Sequence, residues 1–191
     1  GLNKKYDCII GVSGGVDSSW ALLKSKELGL RPLAVHMDNG WNSELAQNNI
    51  SNLIEKLGID LHTHVIEWNE YRDLMQCFFD ADVLDIELLY DNAMIATNLE
   101  TAAKFNIKYI LTGANYATEG IKIPSNWNWL KNDAKNIKGI AKLRNVKIKT
   151  FPIIGTIGFL WHKIINRTKW IQFLNYFNYK KDNAMEELIS N

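Results

Sequence analysis

The sequence predicts an α/β fold, an open and mostly parallel five-stranded sheet flanked by helices with a helical C-terminal extension. Three observations predict it. Short apolar runs alternate with segments of helical apolar spacing, the pattern of a parallel sheet with crossover helices. The first run, Cys8–Val12, passes through Ser13-Gly14-Gly15 straight into a helical pattern. Turn-rich segments 12–19, 38–41 and 113–120 follow expected strand ends, where ligands bind in such sheets.

Taken in order, Tyr6–Val12 is the first strand and Val16–Leu28 the first helix, ended by Gly29. Pro32–Met37 is the second strand, with a turn at Asp38-Asn39-Gly40. Ser43–Leu57 is a helix on the spacing of Ile50, Leu53, Ile54 and Leu57, stopped by Gly58. His62–Ile66 is a short third strand, and the βαβαβ order implies right-handed crossovers. Trp68–Phe79 is helical, Ala81–Tyr90 a loop or short helix, and Asp91–Phe105 a helix capped by Asp91. Lys108–Thr112 is the next strand, Gly113–Trp129 a loop and Leu130–Leu143 a helix. Val146–Phe151 is the expected last strand, closed by Pro152. The aromatic and basic stretch Ile157–Tyr179 is expected to form one or two helices, and Asp182–Ile189 a last short one. Residues 1–155 are thus expected to form the sheet domain and 156–191 a helical segment. The chain starts on Gly rather than Met and stops just after a helical pattern, so both ends are expected to be cut from a longer protein.

The composition excludes several classes. A chain of 191 residues, 47% hydrophobic, has enough apolar material for one domain with a real core. The net charge of +1 gives no general attraction for nucleic acid. No apolar run reaches the length of a membrane span, and residues 1–7 do not resemble a signal peptide, so a cytoplasmic setting is expected. Cys8 and Cys77 are too few for a disulfide framework or a zinc set and are expected in the core. His36, His62, His64 and His162 lack metal-ligand spacing.

The segment Val12–Ser19 carries the chemistry. Adjacent glycines let the backbone turn tightly and bring its N–H groups close to a ligand. The first amides of the following helix have no internal acceptor, and the helix dipole favours an anion there. Ser13, Ser18 and Ser19 add hydroxyls, so the segment is a phosphate cradle. It is no Walker A loop, because Val16 follows Gly15 and no Lys comes after the glycines until Lys24. Asp17 beside an anion is costly unless a cation lies between them, which implies Mg²⁺ bridging Asp17 and phosphate oxygens. The alternative is an ordinary strand-to-helix turn with Asp17 as a dipole partner.

Ser13–Ser19, SGGVDSS, resembles the signature of the N-type PP-loop ATP pyrophosphatases, a Rossmann-like fold of the adenine-nucleotide α-hydrolase kind. The resemblance implies ATP as cofactor, cleaved between its α- and β-phosphates, with Val12, Ser13, Gly14, Gly15, Asp17, Ser18 and Ser19 around the phosphates and Ser13 and Asp17 at the reacting centre. It also implies that Thr112 and Gly113 close on the α-phosphate and adenine. At Met37–Trp41, Met37 is a candidate to pack on adenine and Asp38 to touch ribose or orient the loop; otherwise Asn39-Gly40 is simply a turn. In Leu111–Gly120, Asn115, Thr118 and Glu119 are polar groups beside the phosphate loop. Glu119 is either a second magnesium contact, a substrate-facing acid, or a solvated loop residue.

A narrower resemblance rests on LTGANYATEG, then Pro124-Ser125-Asn126-Trp127, then Lys149–Pro152, KTFP. Together these are similar to the N-acetyl sugar amidotransferases of surface-polysaccharide biosynthesis, from about Tyr6 to the end. The resemblance implies that the acetamido oxygen of a nucleotide-linked or nonulosonic N-acetyl sugar is adenylated and replaced by nitrogen from ammonia. A glutaminase-type or cyclase-like partner would supply the ammonia. The segment Trp127–Trp129 is a candidate to stack on a sugar ring, to cover the loop or to meet a partner. Lys163, Arg167 and Lys169 form a basic face at helical spacing that is either solvated, in contact with a partner, or a site for pyrophosphate, the first two being favoured. Rival readings are a tRNA-modifying or sulfur-transferring PP-loop enzyme, an ammonia-dependent NAD or GMP synthetase, and a non-catalytic nucleotide-binding module. The first would favour paired cysteines or a strongly basic surface. The loop after Gly120 looks less like the second.

Overall fold

The protein is described by a computed structural model covering residues 4–121, 124, 127 and 129–190. Five strands, β1 (Cys8–Gly11), β2 (Pro32–Asp38), β3 (Asp60–Val65), β4 (Tyr109–Thr112) and β5 (Lys169–Gln172), form one sheet in the order β3-β2-β1-β4-β5. All four neighbouring pairs are parallel. The chain runs outward from β1 to β3, then returns to β4 on the other side of β1. The carboxyl ends of β1 and β4 are therefore the switch point, where connections diverge and leave a crevice.

Helices α1 (Val16–Glu27), α2 (Glu44–Leu57), α3 (Trp68–Asp80), α4 (Leu88–Lys104), α5 (Tyr116–Glu119), α6 (Ala134–Leu143), α7 (Thr156–Ile164) and α8 (Lys181–Ser190) flank the sheet. Central strands must be apolar on both faces, and β1 shows why. Ile10 packs with Ala34, Leu111, Leu22 of α1 and Ala184 of α8 in one layer. Ile9 packs with Val35, Ile110, Ala96 and Leu99 of α4 in the other. A third cluster of Tyr71, Leu74, Phe78, Leu89 and Ile137 joins α3, α4 and α6. Both cysteines are buried, and burial pushes the Cys8 thiol up to about 12, so it stays protonated and inert. No helix among the described residues is long and apolar enough to cross a membrane.

Four elements differ from expectation. Val146–Phe151 alternates like a strand but pairs with none. The amides of Lys149, Thr150 and Phe151 donate instead to the Glu70 carboxylate of α3. The fifth strand is β5, which lies inside the stretch expected to be helical and pairs with β4 from Tyr109–Lys169 to Thr112–Gln172. Asp91 does not cap α4, which starts one turn earlier at Leu88 because Leu88 and Leu89 anchor in the core. Asp91 pairs with Lys131 at 2.8 Å. The region 113–129, expected as a loop, contains the single helical turn α5.

Candidate functional site

A cavity of about 700 Å³ opens at the switch point, between the ends of β1 and β4, the start of α1 and the side of α4. That is the size of a cofactor or substrate site. The loop between β1 and α1 forms its phosphate side. Gly14 has φ +78°, and a Cβ there would stand 2.5 Å from the Ala46 carbonyl oxygen of α2, so only glycine fits. Gly113 has a different reason. A Cβ on it would meet the backbone of Asp17 and Ser18 at 3.0 Å, because the end of β4 lies directly against the first turn of α1.

The loop is ordered by its own serines. Ser18 Oγ donates to the Gly15 carbonyl at 3.2 Å and accepts from the Ser13 amide at 3.3 Å. Ser13 Oγ and Ser18 Oγ are 3.2 Å apart. Yet the N-cap residue of α1, Gly15, supplies no side-chain acceptor to the first turn. The amides of Val16, Asp17 and Ser18 belong to that turn and have no intrahelical acceptor. All three residues line the cavity. Here the helix start is left open where the cavity begins, an arrangement that suits an anion.

Asp17 follows immediately. Its Oδ1 accepts a hydrogen bond from the hydroxyl of Tyr179, which arrives from the far end of the chain. Burial and this contact push the Tyr179 phenol above its usual range, so it stays a donor. Among the described residues nothing donates to Asp17 Oδ2. Among the described residues the lining is also acidic, with Asp17, Glu87, Glu119 and an Asp91 that pairs with Lys131, against one lining cation, Lys181. A polyphosphate fits such a lining only with a divalent cation, and Mg²⁺ takes one or two carboxylates plus phosphate oxygens. Asp17 is the carboxylate at the phosphate end. No cluster of three or more His, Cys, Asp or Glu residues suited to a metal occurs among the described residues.

The opposite end of the cavity is apolar, lined by Val35, Met37 and Ile110 of the sheet and Met94 of α4. Asn98 closes it. Asn98 is 5% exposed, its Nδ2 donates to the Met94 carbonyl, and its Oδ1 has no partner. A buried acceptor without a donor is unfavourable, so this atom suits an amino or hydroxyl group of a bound molecule.

The expected site residues fall into two groups. Val12, Ser13, Gly15, Asp17, Ser18, Met37, Thr112, Gly113 and Glu119 come together around the cavity. Gly14 and Ser19 line a separate cleft between α1, α2 and α8. Asp38 orders its own turn by accepting from the Gly40 amide at 3.0 Å and from Asn42 Nδ2 at 3.2 Å. Asn115 caps α5 and also donates to the Gly113 carbonyl at 3.1 Å, fixing the loop from within. Trp127 and Trp129 are exposed, and Trp129 Nε1 donates to Asp133 at 3.0 Å. Ser125 and Asn126 lie outside the described residues.

Sequence reasoning missed Tyr179, Asn98, Glu87, Asp91 and Lys181, all remote in sequence from the loop. It also gave His36 no role. His36 Nδ1 is 2.8 Å from the Val12 carbonyl, so it carries the proton and donates there. Its Nε2 then accepts from Asn42 at 3.3 Å, tying the phosphate loop to the turn after β2.

Solved structures share this fold. A protein described as a predicted subunit of tRNA methyltransferase from Methanocaldococcus jannaschii superposes with a TM-score of 0.51 over 96% of this chain and 75% of that one, at 14% identity. A glutamine-dependent NAD⁺ synthetase from Acinetobacter baumannii, solved with ADP, gives 0.52 over 98% of this chain, at 16% identity. This chain spans 40% of that synthetase. No curated protein matches the sequence. A family model described as NAD synthase matches residues 3–119, which hold the phosphate loop, β1 to β4 and the Thr112–Glu119 segment. With that match over more than half its length, on the PP-loop ATP pyrophosphatase fold, the chain belongs to the NAD synthase family.

Proposed function

We propose that the protein is an ATP-dependent, AMP-forming amidotransferase that converts the acetamido group of an N-acetyl sugar to an acetamidino group. The observation that carries the ATP-dependent part is the open first turn of α1, with no side-chain cap and no lysine, facing a cavity with a carboxylate at its phosphate end. A loop that lacks a lysine for the β/γ-phosphates suits transfer of the adenylyl group. The similarity of Leu111–Gly120, Pro124–Trp127 and Lys149–Pro152 to the sugar amidotransferases supports the acceptor.

In this reading the amides of Val16, Asp17 and Ser18 and the hydroxyls of Ser13 and Ser18 orient the triphosphate. Met37 and Val35 cover adenine, and Asn98 Oδ1 accepts from its amino group or from ribose. Asp17, held by Tyr179, would hold Mg²⁺, whose charge would offset that of the departing pyrophosphate. The acetamido oxygen attacks the α-phosphorus, the bond to the bridging oxygen breaks and pyrophosphate leaves. Ammonia then adds to the imidate carbon, AMP departs with the former acetamido oxygen, and the amidine keeps the proton. Glu119, at the rim, faces the acceptor. No side-chain nucleophile is needed, which agrees with the buried cysteines. A glutaminase-type partner in the cytoplasm supplies the ammonia.

Membership of the NAD synthase family favours a second reading, in which the adenylated group is a carboxylate. Both readings release AMP and pyrophosphate, so the acceptor separates them. The protein is incubated with ATP, magnesium and ammonium, and with either a nucleotide-linked N-acetyl sugar or nicotinic acid adenine dinucleotide. AMP formed only with the sugar, with a loss of about one mass unit of oxygen-for-NH exchange in the sugar product, is the expected result. AMP formed only with the carboxylate overturns the sugar reading, and ADP with orthophosphate overturns both.

A further inference from the structure

A second cavity, of about 840 Å³, lies against the other side of Trp170, between α4, α7 and the edge strand β5. Trp170 lines both cavities. The floor of the second one is apolar, formed by Ile95 and Leu99 of α4, Phe159 of α7 and Ile171 of β5. Three cations, Lys163, Arg167 and Lys169, stand around it, and no acid lines it among the described residues. All three are exposed, and among the described residues none makes an ion pair or a side-chain hydrogen bond. Cations on a folded surface usually face acids of opposite sign, so three unpaired ones around one apolar cavity form a local positive field.

The wall also holds polar groups without partners. Thr168 is 5% exposed, lines the cavity, and its Oγ1 has no hydrogen-bond partner. The indole Nε1 of Trp170 has none either. Buried hydroxyl and indole N–H groups are ordinarily satisfied, and these two belong to residues of the cavity wall although neither atom is open to it; the three unpaired cations are what point to an anionic ligand. The apolar floor demands more than an inorganic anion, since burying that surface against hydrocarbon is favourable and against phosphate is not.

We propose that this cavity binds a phosphorylated amphiphile. Its apolar chain lies against Phe159, Leu99 and Trp170. Its phosphate meets Lys163, Arg167 and Lys169, and its ester oxygens are within reach of Thr168 once that side chain turns about χ1. The site is separate from the nucleotide cavity and independent of which acceptor the enzyme uses. The ligand comes either as a free phosphate ester or as a headgroup within a bilayer. The outward residues of α7, Ile157, Trp161 and Ile164, are 86%, 59% and 64% exposed and would lie on an interface in the second case.

The test is calorimetric titration of the whole chain with decyl phosphate, decanol and inorganic phosphate, with and without saturating ATP and magnesium. Decyl phosphate is expected to bind at one molecule per chain, about tenfold or more tighter than decanol or phosphate, and without displacing the nucleotide. The double variant Lys163→Ala with Lys169→Ala, both exposed, is expected to weaken it by about tenfold and to leave the unfolding midpoint unchanged. Thr168→Val, close in shape, is expected to weaken it by about threefold without loss of stability. Absence of decyl phosphate binding, equal binding of decanol, indifference to the double variant, or displacement by ATP would each overturn the proposal. Sedimentation with phosphatidylcholine vesicles containing phosphatidic acid separates the sources. Co-sedimentation that decyl phosphate abolishes supports a bilayer headgroup, and decyl phosphate binding without co-sedimentation supports a free ester.

Discussion

Two helices start side by side in this molecule and solve the same problem in opposite ways. The starts of α1 and α2 are in contact, since Asn49 Nδ2 of α2 donates to the Gly14 carbonyl and a Cβ on Gly14 would strike Ala46. Each helix has first-turn amides that lack intrahelical acceptors. In α2, Ser43 Oγ accepts from the Ala46 amide at 3.2 Å, and the end is satisfied by the chain itself. In α1 the equivalent position is Gly15, with no side-chain cap. Helices α3 and α6 follow α2, with caps from Glu67 and Asp133. The lesson is that a missing cap is informative where it coincides with a cavity. A cap is worth about 0.5–2 kcal/mol, and α1 forgoes that stabilisation where a ligand can supply the acceptor.

Giving α1 a cap is the strongest way to break the contrast. Gly15 has φ −83° and ψ 163°, a conformation that suits aspartate at an N-cap. Gly15→Asp is expected to leave folding stability within about 1 kcal/mol of the parent or raise it. The same change is expected to lower ATP affinity by about a hundredfold, because its carboxylate takes the amides and repels the phosphates. Titration calorimetry beside urea denaturation reads both. Undiminished ATP binding would show that α1 does not hold the phosphates.

Asp17→Asn comes next. Its amide oxygen can still accept from Tyr179, so the circular-dichroism spectrum and unfolding midpoint should hold. Magnesium-dependent ATP consumption is expected to fall by about a hundredfold. A rate within about twofold of the parent would remove the metal from Asp17.

At α2 the expected outcome is reversed. Ser43→Ala should cost about 1 kcal/mol in stability and change the ATP dissociation constant by less than about twofold. A large loss of ATP affinity would mean that the two helix starts are not distinct in function.

The smallest effect is a pH dependence at α3. The amides of Glu70 and Asn69 hold the Glu67 carboxyl below the usual carboxylate range. A group depressed on folding contributes stability above its unfolded pKa, about 4.3, and loses that contribution as pH falls through its folded value. Glu67→Gln is therefore expected to lower the unfolding midpoint at about pH 6 and to match the parent at about pH 2.5. A difference that persists at the acid end would assign the effect to packing.

The phosphate loop was legible because its logic is local. Strand, glycines, serines and helix follow one another within twelve residues of sequence, Cys8–Ser19, and each obeys a short-range rule. The parallel five-stranded α/β sheet followed from the alternation of elements, but its strand order and its fifth strand did not. What was not legible depends on contacts distant in sequence. Tyr179 reaches Asp17 across 162 positions, and nothing near either residue announces the pair. Asn98 sits on a helix as an ordinary polar residue, and only the cavity beside it gives its orphan oxygen meaning. Val146–Phe151 has strand alternation, but Glu70 takes its amides, so an interaction from another helix overrides local preference. β5 is four residues long within an aromatic stretch, too short to display a period.

The most direct test of the central claim follows the backbone amides of the labelled protein by ¹⁵N–¹H NMR during titration with ATP and magnesium. The amides of Val16, Asp17 and Ser18 are expected to shift and saturate together, while those of Leu45 and Ala46 at the capped start of α2 stay in place. Unmoved α1 amides in the presence of bound ATP, or equal shifts at both helix starts, would contradict the account.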